Sequence, residues 1–316
     1  MKILLSGCTG FIGRHLTREL SLEGHEIVSL TRRTEYDGLF SARNVRYVTW
    51  NDGRHSGTTG PAAIISLIEE TDAIVNLAGE SIGKGRWTEA RKKVLVDSRV
   101  KPTETIVSAV AESKKKPQVM VNASAVGYYG NVDEGEVPEG HPAGEGFLAS
   151  LCVEWEQAAK RVEAHGVRLV LLRIAFVVGG EGSALGRIAL PFRMFVGGPI
   201  GLGKQWFPWV HVADVAGVAR FALSNDGLRG PVNVAAPETL TMKKFCSMLG
   251  RALGRPSWAP VPGFAVRLLV GELADMILGG QKVVPEALDR AGYRFTFPKL
   301  SEALDAIYRP DGSRRG

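Results

Sequence analysis

The chain has 316 residues, of which 45% are hydrophobic and 23% are charged, and its formal net charge is +6. This length and balance indicate one large globular α/β domain, with or without a smaller lobe, and exclude a disordered chain or a coiled coil. The excess of basic residues suits an anionic ligand, but it is too small to indicate nucleic acid.

The cysteines and the apolar runs bear on the compartment. Cys8, Cys152 and Cys246 form no Cys-x-x-Cys pair, and an odd number cannot all pair within one chain, so we expect a reducing compartment and no metal site. The sequence contains no run of about 18 apolar residues and opens with no signal-peptide pattern. We therefore expect a cytoplasmic protein with neither a membrane nor a nucleic-acid partner.

Short apolar runs alternate with helical patterns over the first half of the chain. Apolar spacing of three and four residues, as in Phe11, Ile12, Leu16 and Leu20, predicts helices, and uninterrupted apolar runs predict strands buried on both faces. Pro102 could break the third helix. The expected strands are 2–6, 25–32, 45–50, 73–77, 119–124 and 168–178, and the expected helices are 11–23, 64–70, 87–113 and 147–165.

The composition changes after Gly179, where glycine, proline and aromatic residues become frequent. A helix is predicted at 212–223 and a short strand at 231–235, and mainly helices follow. Strand–helix alternation of this kind predicts a doubly wound parallel α/β domain. We assign to that domain residues 1–179, with 207–235 returning to it, and to a smaller, mainly helical lobe residues 180–206 and 236–316.

The first strand runs directly into a glycine-rich turn that opens the first helix. In its G-x-x-G-x-x-G spacing Gly7 permits a tight turn, Gly10 lets backbone amides approach a pyrophosphate, and Gly13 allows close packing of helix on strand. The helix N-terminus adds N–H donors and a favourable dipole. This strand–turn–helix context favours dinucleotide binding over a turn that only connects two elements. The candidate cofactor-binding residues are Gly7, Thr9, Gly10, Phe11, Ile12 and Gly13.

Two arginines end the second strand, in Leu30-Thr31-Arg32-Arg33. An NAD-binding domain usually offers an acid at this distance from the glycines, for the ribose 2′-hydroxyl, but the first acid here is Glu35. A guanidinium pairs with a 2′-phosphate and stacks on adenine, whereas an acid would repel the phosphate. Thr31, Arg32 and Arg33 therefore favour NADP(H) over NAD(H), the alternative being two solvated arginines.

Further stretches resemble motifs of one superfamily. Asn76-Leu77-Ala78-Gly79 is similar to an N-x-A-G motif, at which the backbone follows adenine and its ribose. The stretch from Asn122 to Gly130 is similar to one with a catalytic serine, which would be Ser124. His211 to Ala216 resembles an H-V-x-D-V-A motif. Together they resemble the short-chain dehydrogenases/reductases, in the extended, epimerase-like branch, which implies a Rossmann domain.

Additional marks narrow the resemblance to a small atypical subgroup of epimerase-family proteins, sometimes labelled cell-division-inhibitor-like. The match runs from residue 1 to about 308, and it implies a small terminal domain at roughly 258–308. It also implies that Arg99 and the backbone near Val177, at the end of the sixth strand, lie at the cofactor. The marks are Glu154-Trp155-Glu156, Phe192-Arg193, Gly197 to Ile200, Gln205 to Trp209 and Gly279 to Val283.

The acid–base pair of the ordinary family mechanism is missing. That mechanism needs Tyr-x-x-x-Lys on the helix after the fifth strand, where the lysine lowers the pKa of the tyrosine. No Tyr-x-x-x-Lys occurs in the sequence, and the expected position reads Phe147-Leu148-Ala149-Ser150-Leu151. Cofactor binding is therefore implied more strongly than catalysis. Ser124 and Tyr128 are the candidate catalytic residues; Tyr129 is an alternative to Tyr128, and a structural role is an alternative for both tyrosines.

Other ionisable residues have competing explanations. Glu154 and Glu156 could act as acid or base, although pairing on the helix surface is commoner. His211 and Asp214 suggest a proton relay, but at the start of a helix a cap is the simpler explanation. The basic loop 83–87 could bind an anion or stay solvated.

We expect an NADP(H)-binding atypical short-chain dehydrogenase/reductase that acts as an oxidoreductase or epimerase on an unknown small substrate. Open parallel sheets bind ligands beyond the carboxyl ends of their strands, so the substrate is expected between that edge and the lobe. The alternative is a non-catalytic NADP(H) sensor that regulates a partner.

Overall fold

The computed structural model describes residues 1–32, 40–50 and 59–309, and a seven-stranded parallel sheet lies at its centre. The strands of the described residues are β1 (Lys2–Ser6), β2 (Glu26–Thr31), β3 (Val45–Thr49), β4 (Ala73–Asn76), β5 (Val119–Ala125), β6 (Glu136–Val137), β7 (Arg168–Ile174), β8 (Phe176–Val178), β9 (Trp209–His211), β10 (Gly230–Val234) and β11 (Lys282–Val283). The order in the main sheet is β10-β7-β5-β4-β1-β2-β3. The strand order reverses between β1 and β4, which is where ligands bind in doubly wound folds.

Helices cover both faces of this sheet. The helices of the described residues are α1 (Phe11–Leu22), α2 (Pro61–Glu69), α3 (Glu89–Glu112), α4 (Phe147–Lys160), α5 (Leu185–Arg193), α6 (Val212–Ser224), α7 (Met242–Leu253), α8 (Gly263–Val270), α9 (Leu273–Leu278), α10 (Glu286–Arg290) and α11 (Leu300–Tyr308). Helix α3 is continuous through Pro102, so the break that the sequence allowed there does not occur. Short 3₁₀ turns follow β5, at Val126–Tyr129, and α4, at Arg161–His165.

Alternate residues of each strand enter two separate apolar layers, as the period of an extended chain requires. On one side Ile3 and Leu5 of β1 belong to a cluster with residues of α1 and α6. On the other side Leu4 belongs to a cluster with Ile64 of α2 and Ile106 of α3. Both faces of the sheet are thus dry, which explains the uninterrupted apolar runs in the sequence.

The stretch 168–178, which the sequence predicts as one strand, forms two strands in the structure. The main-sheet strand β7 ends at Ile174, and Ala175 donates its N–H to the carbonyl of Val234 at 3.1 Å. The chain then pairs with β9, with Val177 opposite Val210. A continuous apolar run cannot show a change of pairing partner, because both partners accept the same side chains.

A third apolar cluster lies beyond the carboxyl edge of the sheet. It joins α5, α7 and α11 to β9, through buried side chains that include Phe192, Phe245, Leu304 and Trp209. Among the described helices none combines the length and the apolar character needed to cross a membrane.

Candidate functional site

The glycine turn between β1 and α1 lies against the end of β4. Gly7 adopts a φ of +79°, and the N–H of Gly10 donates to its carbonyl at 3.0 Å. A Cβ atom at Gly7 would lie 2.4 Å from the carbonyl oxygen of Leu77, and one at Gly13 would lie 2.2 Å from the carbonyl oxygen of Gly7. A side chain at Gly7 would therefore push the turn away from the end of β4, and a side chain at Gly13 would push α1 away from the turn.

The same turn has the features that a dinucleotide pyrophosphate requires. Gly10 is exposed and forms the N-cap of α1 without a side-chain cap, so no side chain competes for the first N–H groups of the helix. Thr9, Phe11 and Ile12 are partly buried around it. The backbone of the glycine turn therefore forms a cradle that suits a phosphate group and that a Cβ atom would fill.

Arg32 follows β2 at the same edge of the sheet, beside the chain that leaves β4. Its Nη2 lies 3.1 Å from Oε1 of Glu80, in an ion pair in which the Arg32 side chain is 40% exposed. Thr31, the last residue of β2, is buried. Arg33, the third residue of the predicted 2′-phosphate set, lies outside the described residues.

The side chain of Arg99, on α3, hydrogen-bonds to the loop that follows β4. Its Nη2 donates to the carbonyl of Glu80 at 2.9 Å and its Nη1 to the carbonyl of Leu95 at 3.0 Å. A Cβ atom at Gly79 would lie 3.2 Å from the Arg99 guanidinium carbon. Burial lowers the pKa of Arg99. Arg99 thus fixes Gly79 and Glu80, which directly follow the Leu77 and Ala78 backbone that faces the glycine turn.

The end of β8 also reaches the glycine turn. A Cβ atom at Gly179 would lie 2.5 Å from the ring of Phe11, at the start of α1. Val177, two residues earlier, is partly buried in the pair of β8 with β9. The structure therefore brings three of the chain segments that the sequence assigned to the cofactor to one edge, around Gly7, Leu77 and Val177.

Ser124, at the end of β5, belongs to a buried polar network. Its Oγ donates to Oε1 of Glu156 at 2.7 Å, and its side chain is 3% exposed. The same carboxylate accepts two hydrogen bonds of 2.9 Å from Nε and Nη2 of Arg173, on β7. Glu156 is 1% exposed, so its expected role in helix-surface pairing is wrong, whereas Glu154 is exposed. The Ser124 hydroxyl proton is engaged by this carboxylate.

The two tyrosines after β5 differ in what their hydroxyl groups contact. Tyr129 is buried, donates to Oδ1 of Asn233 at 2.6 Å and accepts from Nη1 of Arg173 at 2.9 Å. Burial raises the pKa of Tyr129 to about 12. Tyr128 is partly buried, with the Arg173 guanidinium carbon 3.5 Å from the centre of its ring, and within the described residues its hydroxyl makes no hydrogen bond. Tyr128 is therefore the one of the two with a free phenol.

The helix that should carry the missing acid–base pair presents apolar groups instead. The ring of Phe147, at the start of α4, meets Trp87 edge-on at 5.2 Å. Leu151, one turn later, is buried. Lys92 of α3 places its Nζ 5.6 Å from the centre of the Phe147 ring, but Glu272 pairs with that ammonium at 2.6 Å.

His211 caps the start of α6 and Asp214 anchors a distant loop, in agreement with the simpler structural explanation. Nδ1 of His211 accepts the N–H of Ala213 at 3.2 Å at the start of α6, and burial lowers its pKa to about 4. The buried Asp214 accepts the N–H groups of Thr296 at 2.6 Å and Phe297 at 3.0 Å. Neither side chain forms a proton relay with the other.

A cleft next to the loop after β5 was not assigned by the sequence. Its volume is about 670 Å³. Gly279 and Gly280 pass through its wall so closely that Cβ atoms would lie 2.0 Å from Oδ1 of Asn131 and 1.9 Å from the carbonyl oxygen of Trp206. The buried Gln281 then donates to the carbonyl of Val126 at 2.7 Å. The lining residues are Val132, Asp133, Gly201, Leu202, Lys204, Gln205, Trp206, Pro262, Gly263, Leu278 and Gly280.

Two stretches of the sequence contribute residues to this cleft. The Gly279 to Val283 stretch and the Gln205 to Trp209 stretch were both recognisable as subgroup marks, but their meeting depends on contacts between distant segments. Trp206 lines the cleft, whereas Trp209 is buried in the third apolar cluster.

Comparisons with known proteins match nearly the whole chain. Residues 3–235 match the NAD dependent epimerase/dehydratase family, and residues 261–307 match a domain of unknown function, DUF1731. The epimerase family protein SDR39U1 of Bos taurus is 39% identical over 97% of this chain and 99% of its own length. Epimerase family protein YfhF of Bacillus subtilis is 36% identical over 97% of this chain and 98% of its own length.

Solved structures agree with that assignment. Human epimerase family protein SDR39U1 (isoform 2), crystallised with NADPH, has a TM-score of 0.85 and 35% identity over 98% of this chain and 99% of that one. A nucleoside-diphosphate sugar epimerase from Corynebacterium glutamicum has a TM-score of 0.75 and 26% identity, over 96% of this chain and 57% of that one. The chain belongs to the NAD dependent epimerase/dehydratase family, as an atypical extended short-chain dehydrogenase/reductase.

Proposed function

We propose that this chain binds NADPH at the glycine turn and reduces a small carbonyl substrate held in the cleft next to the loop after β5. The observation that supports NADPH binding is the glycine turn, in which Gly7 and Gly13 leave no room for a Cβ atom. The human relative crystallised with NADPH supports the same cofactor, since it shares 35% of its residues with this chain over almost the full length.

The position of Arg32 supports the phosphorylated form of the nucleotide. Its guanidinium stands at the end of β2, in the place where an acid would meet a ribose 2′-hydroxyl. Glu80 holds that guanidinium at 3.1 Å and still leaves the side chain 40% exposed. Arg32 would bind the 2′-phosphate, and Thr9, Phe11 and Ile12 would offer backbone around the pyrophosphate.

The reaction needs a hydride and a proton, and this chain must supply the proton. When bound, the nicotinamide supplies the hydride to the carbonyl carbon. Tyr128 would donate its phenolic proton to the carbonyl oxygen, so that the substrate leaves as an alcohol. Arg173 would fix the Tyr128 ring, which it meets face-on at 3.5 Å, and Glu156 would fix Arg173. Ser124 would then act through Glu156, as a positioning residue.

The cleft limits the substrate by size and polarity. A volume of about 670 Å³ suits a small molecule. Val132, Leu202, Trp206 and Leu278 give it apolar walls, and Lys204 is the cation among its lining residues. A carbonyl compound with an apolar body, and with an acidic group near Lys204, would match these walls. The division into a cofactor domain and a smaller substrate lobe is part of this proposal.

Non-catalytic NADPH sensing is the second candidate, and a specific observation favours it. The positions of the family's acid–base pair hold Phe147 and Leu151, and the Ser124 proton is engaged by Glu156. A sensor needs the cofactor cradle but no proton donor. Its partner would then distinguish NADP⁺ from NADPH.

Calorimetric titration with NADPH and NADH tests the cofactor. We expect NADPH to bind about 5- to 150-fold more tightly, because NADH lacks the charge-assisted contacts of the 2′-phosphate. Arg32→Ala should remove most of that preference, whereas Arg161→Ala, on the surface beside Glu104, should keep it. Absence of NADPH binding, or equal binding of NADH, would overturn the assignment.

A carbonyl panel with NADPH then separates the enzyme from the sensor. If any carbonyl compound of the panel causes the absorbance of reduced nicotinamide to fall, and Tyr128→Phe slows that fall, the enzymatic function is supported. If NADPH binds and no member is reduced, a capture experiment with NADP⁺ and NADPH should yield different partners for a sensor.

A further inference from the structure

Exposed apolar side chains are concentrated in one part of the chain. Twelve large hydrophobic residues of the described chain are exposed, and ten of them lie in residues 190–202 and 258–276. Leu202 is 84% exposed, and Phe264 and Leu268 of α8 are 76% and 73% exposed. The ten are Leu190, Met194, Phe195, Val196, Leu202, Trp258, Phe264, Leu268, Leu269 and Met276.

The two segments run side by side, so they build one surface. Ile200 and Val261 form a parallel bridge. Nε1 of Trp258 donates to the carbonyl of Phe195 at 2.9 Å. The loop 83–87 joins them, since the guanidinium of Arg86 donates to the carbonyl of Leu268. We call residues 190–202 and 258–276, with this loop, the apolar surface.

The excess of positive over negative charge in the chain lies around the same surface. Residues 83–87, 181–206 and 241–279 hold ten lysines and arginines, all exposed, and three acids. This excess of seven compares with +6 for the entire chain, so the remainder is close to neutral. Two of the acids are paired, Asp275 with Arg267 and Glu272 with Lys92, each at 2.6 Å. The cations are Lys84, Arg86, Arg187, Arg193, Lys204, Lys243, Lys244, Arg251, Arg255 and Arg267.

We propose that the apolar surface binds the headgroup region of an anionic lipid bilayer. Apolar side chains would enter the boundary between headgroups and acyl chains, and the surrounding cations would meet anionic headgroups. Phe264, Leu268 and Leu269 of α8 are exposed, while Val266 is buried, so the helix presents apolar side chains to solvent. This contact is peripheral and needs no membrane-spanning helix, but it replaces the expectation from the sequence of a protein without a membrane partner.

A bilayer suits the surface better than a second copy of the chain. A symmetric dimer through this surface would bring two excesses of positive charge face to face. An anionic bilayer instead attracts each basic residue by about 1 kcal/mol close to the surface. The glycine turn is not part of the apolar surface, so the membrane contact does not depend on the proposed cofactor.

Flotation with lipid vesicles tests this contact on the intact protein. Vesicles of phosphatidylcholine with about a third of phosphatidylglycerol should carry the protein upward, and pure phosphatidylcholine vesicles should carry far less. Binding should weaken as salt is raised, since salt screens the headgroup attraction. Trp258 should shift its fluorescence to shorter wavelength with the anionic vesicles, and Trp258→Phe should remove that shift.

A matched pair of variants decides whether this surface is responsible. The double variant Leu268→Ser with Leu269→Ser should bind anionic vesicles at least about tenfold more weakly. Leu22→Ser, which alters a leucine 72% exposed on α1, should bind as the parent does. The proposal would be overturned if the parent protein did not float with anionic vesicles, or if Leu22→Ser weakened binding as much as the double variant does. It would also be overturned if light scattering showed that the double variant differs from the parent in molar mass. The last result would assign the surface to self-association.

Discussion

Arg173 and Glu156 form a two-point ion pair that is almost completely removed from water, with 3% and 1% of their surfaces exposed. The pair joins β7 to α4 and is extended by Ser124 and Tyr129, each of which hydrogen-bonds to one partner. It lies directly under Tyr128, whose ring covers the guanidinium. The buried charges therefore support the loop that holds the proposed proton donor.

Removing one partner of this pair should destabilise the fold strongly. Glu156→Gln leaves Arg173 buried without its counter-charge, and we expect a loss of about 3–5 kcal/mol in the free energy of unfolding, measured by urea denaturation. Glu104→Gln breaks the exposed pair with Arg161 and should cost less than about 1 kcal/mol. Similar losses in both variants would show that burial is not what matters.

A methyl group in the glycine turn should weaken cofactor binding. In Gly13→Ala the new Cβ atom would lie 2.2 Å from the carbonyl oxygen of Gly7, so the turn must open. We expect NADPH affinity to fall at least about tenfold in a calorimetric titration, because the backbone can no longer approach the pyrophosphate. In Gly60→Ala nothing in the described part of the chain beyond the adjoining residues lies within 4 Å of the new Cβ, so this variant serves as the control. Unchanged affinity in Gly13→Ala would contradict the assigned role of the turn.

His211 should make the fold sensitive to acid. Burial lowers its pKa to about 4 from an ordinary value of 6.5, so the unfolded chain binds the extra proton first as the pH falls. The contribution is fully present above pH 6.5, and the free energy of unfolding should fall as the pH falls from about 6.5 to 4.

Asparagine at position 211 separates this titration from capping. Asn accepts a backbone N–H at a helix start as His211 does, but it carries no titrating group. His211→Asn should therefore reduce the stability lost between pH 7 and the acid end of that window, as measured by urea denaturation. The same substitution at His165, on another surface, should leave the loss as it is in the parent.

The two tyrosines after β5 should respond differently to loss of their hydroxyl groups. Tyr129→Phe removes hydrogen bonds to Asn233 and Arg173 inside the buried network and should cost about 1–3 kcal/mol of stability. Tyr128→Phe should leave stability and NADPH affinity nearly unchanged, while slowing carbonyl reduction at least about tenfold. Equal rates for Tyr128→Phe and the parent would exclude Tyr128 as proton donor.

Local patterns in the sequence were sufficient for the start of the fold. Strand β1 has the predicted bounds, and α1 begins at the predicted Phe11, because the glycines between them punctuate both elements. The doubly wound parallel sheet was likewise predictable, since buried parallel strands read as continuous apolar runs. The assigned cofactor segments meet because carboxyl ends of parallel strands share one edge.

Contacts between distant segments could not be predicted in the same way. The spacing of Glu154 and Glu156 on α4 does not show which of them is buried, because the answer lies in Arg173 on another element. The exchange of partner after Ile174 is equally non-local. The assignment of Ser124 and Tyr128 to catalysis stays a prediction, as does the division into a domain and a lobe.

The passage of Gly279 and Gly280 between Asn131 and Trp206 restricts which relatives can share this cleft. A Cβ atom at Gly280 would lie 1.9 Å from the backbone carbonyl oxygen of Trp206, so this position accepts no other amino acid while the wall stays closed. A Cβ atom at Gly279 would lie 2.0 Å from the Asn131 side chain, which would have to move. A chain that keeps the dinucleotide turn and changes Gly280 must therefore build a different cleft wall, and one that changes Gly279 must move Asn131. The pair Gly-Gly before Gln281 is thus a marker for the shape of the substrate cleft, independent of the marker for the cofactor.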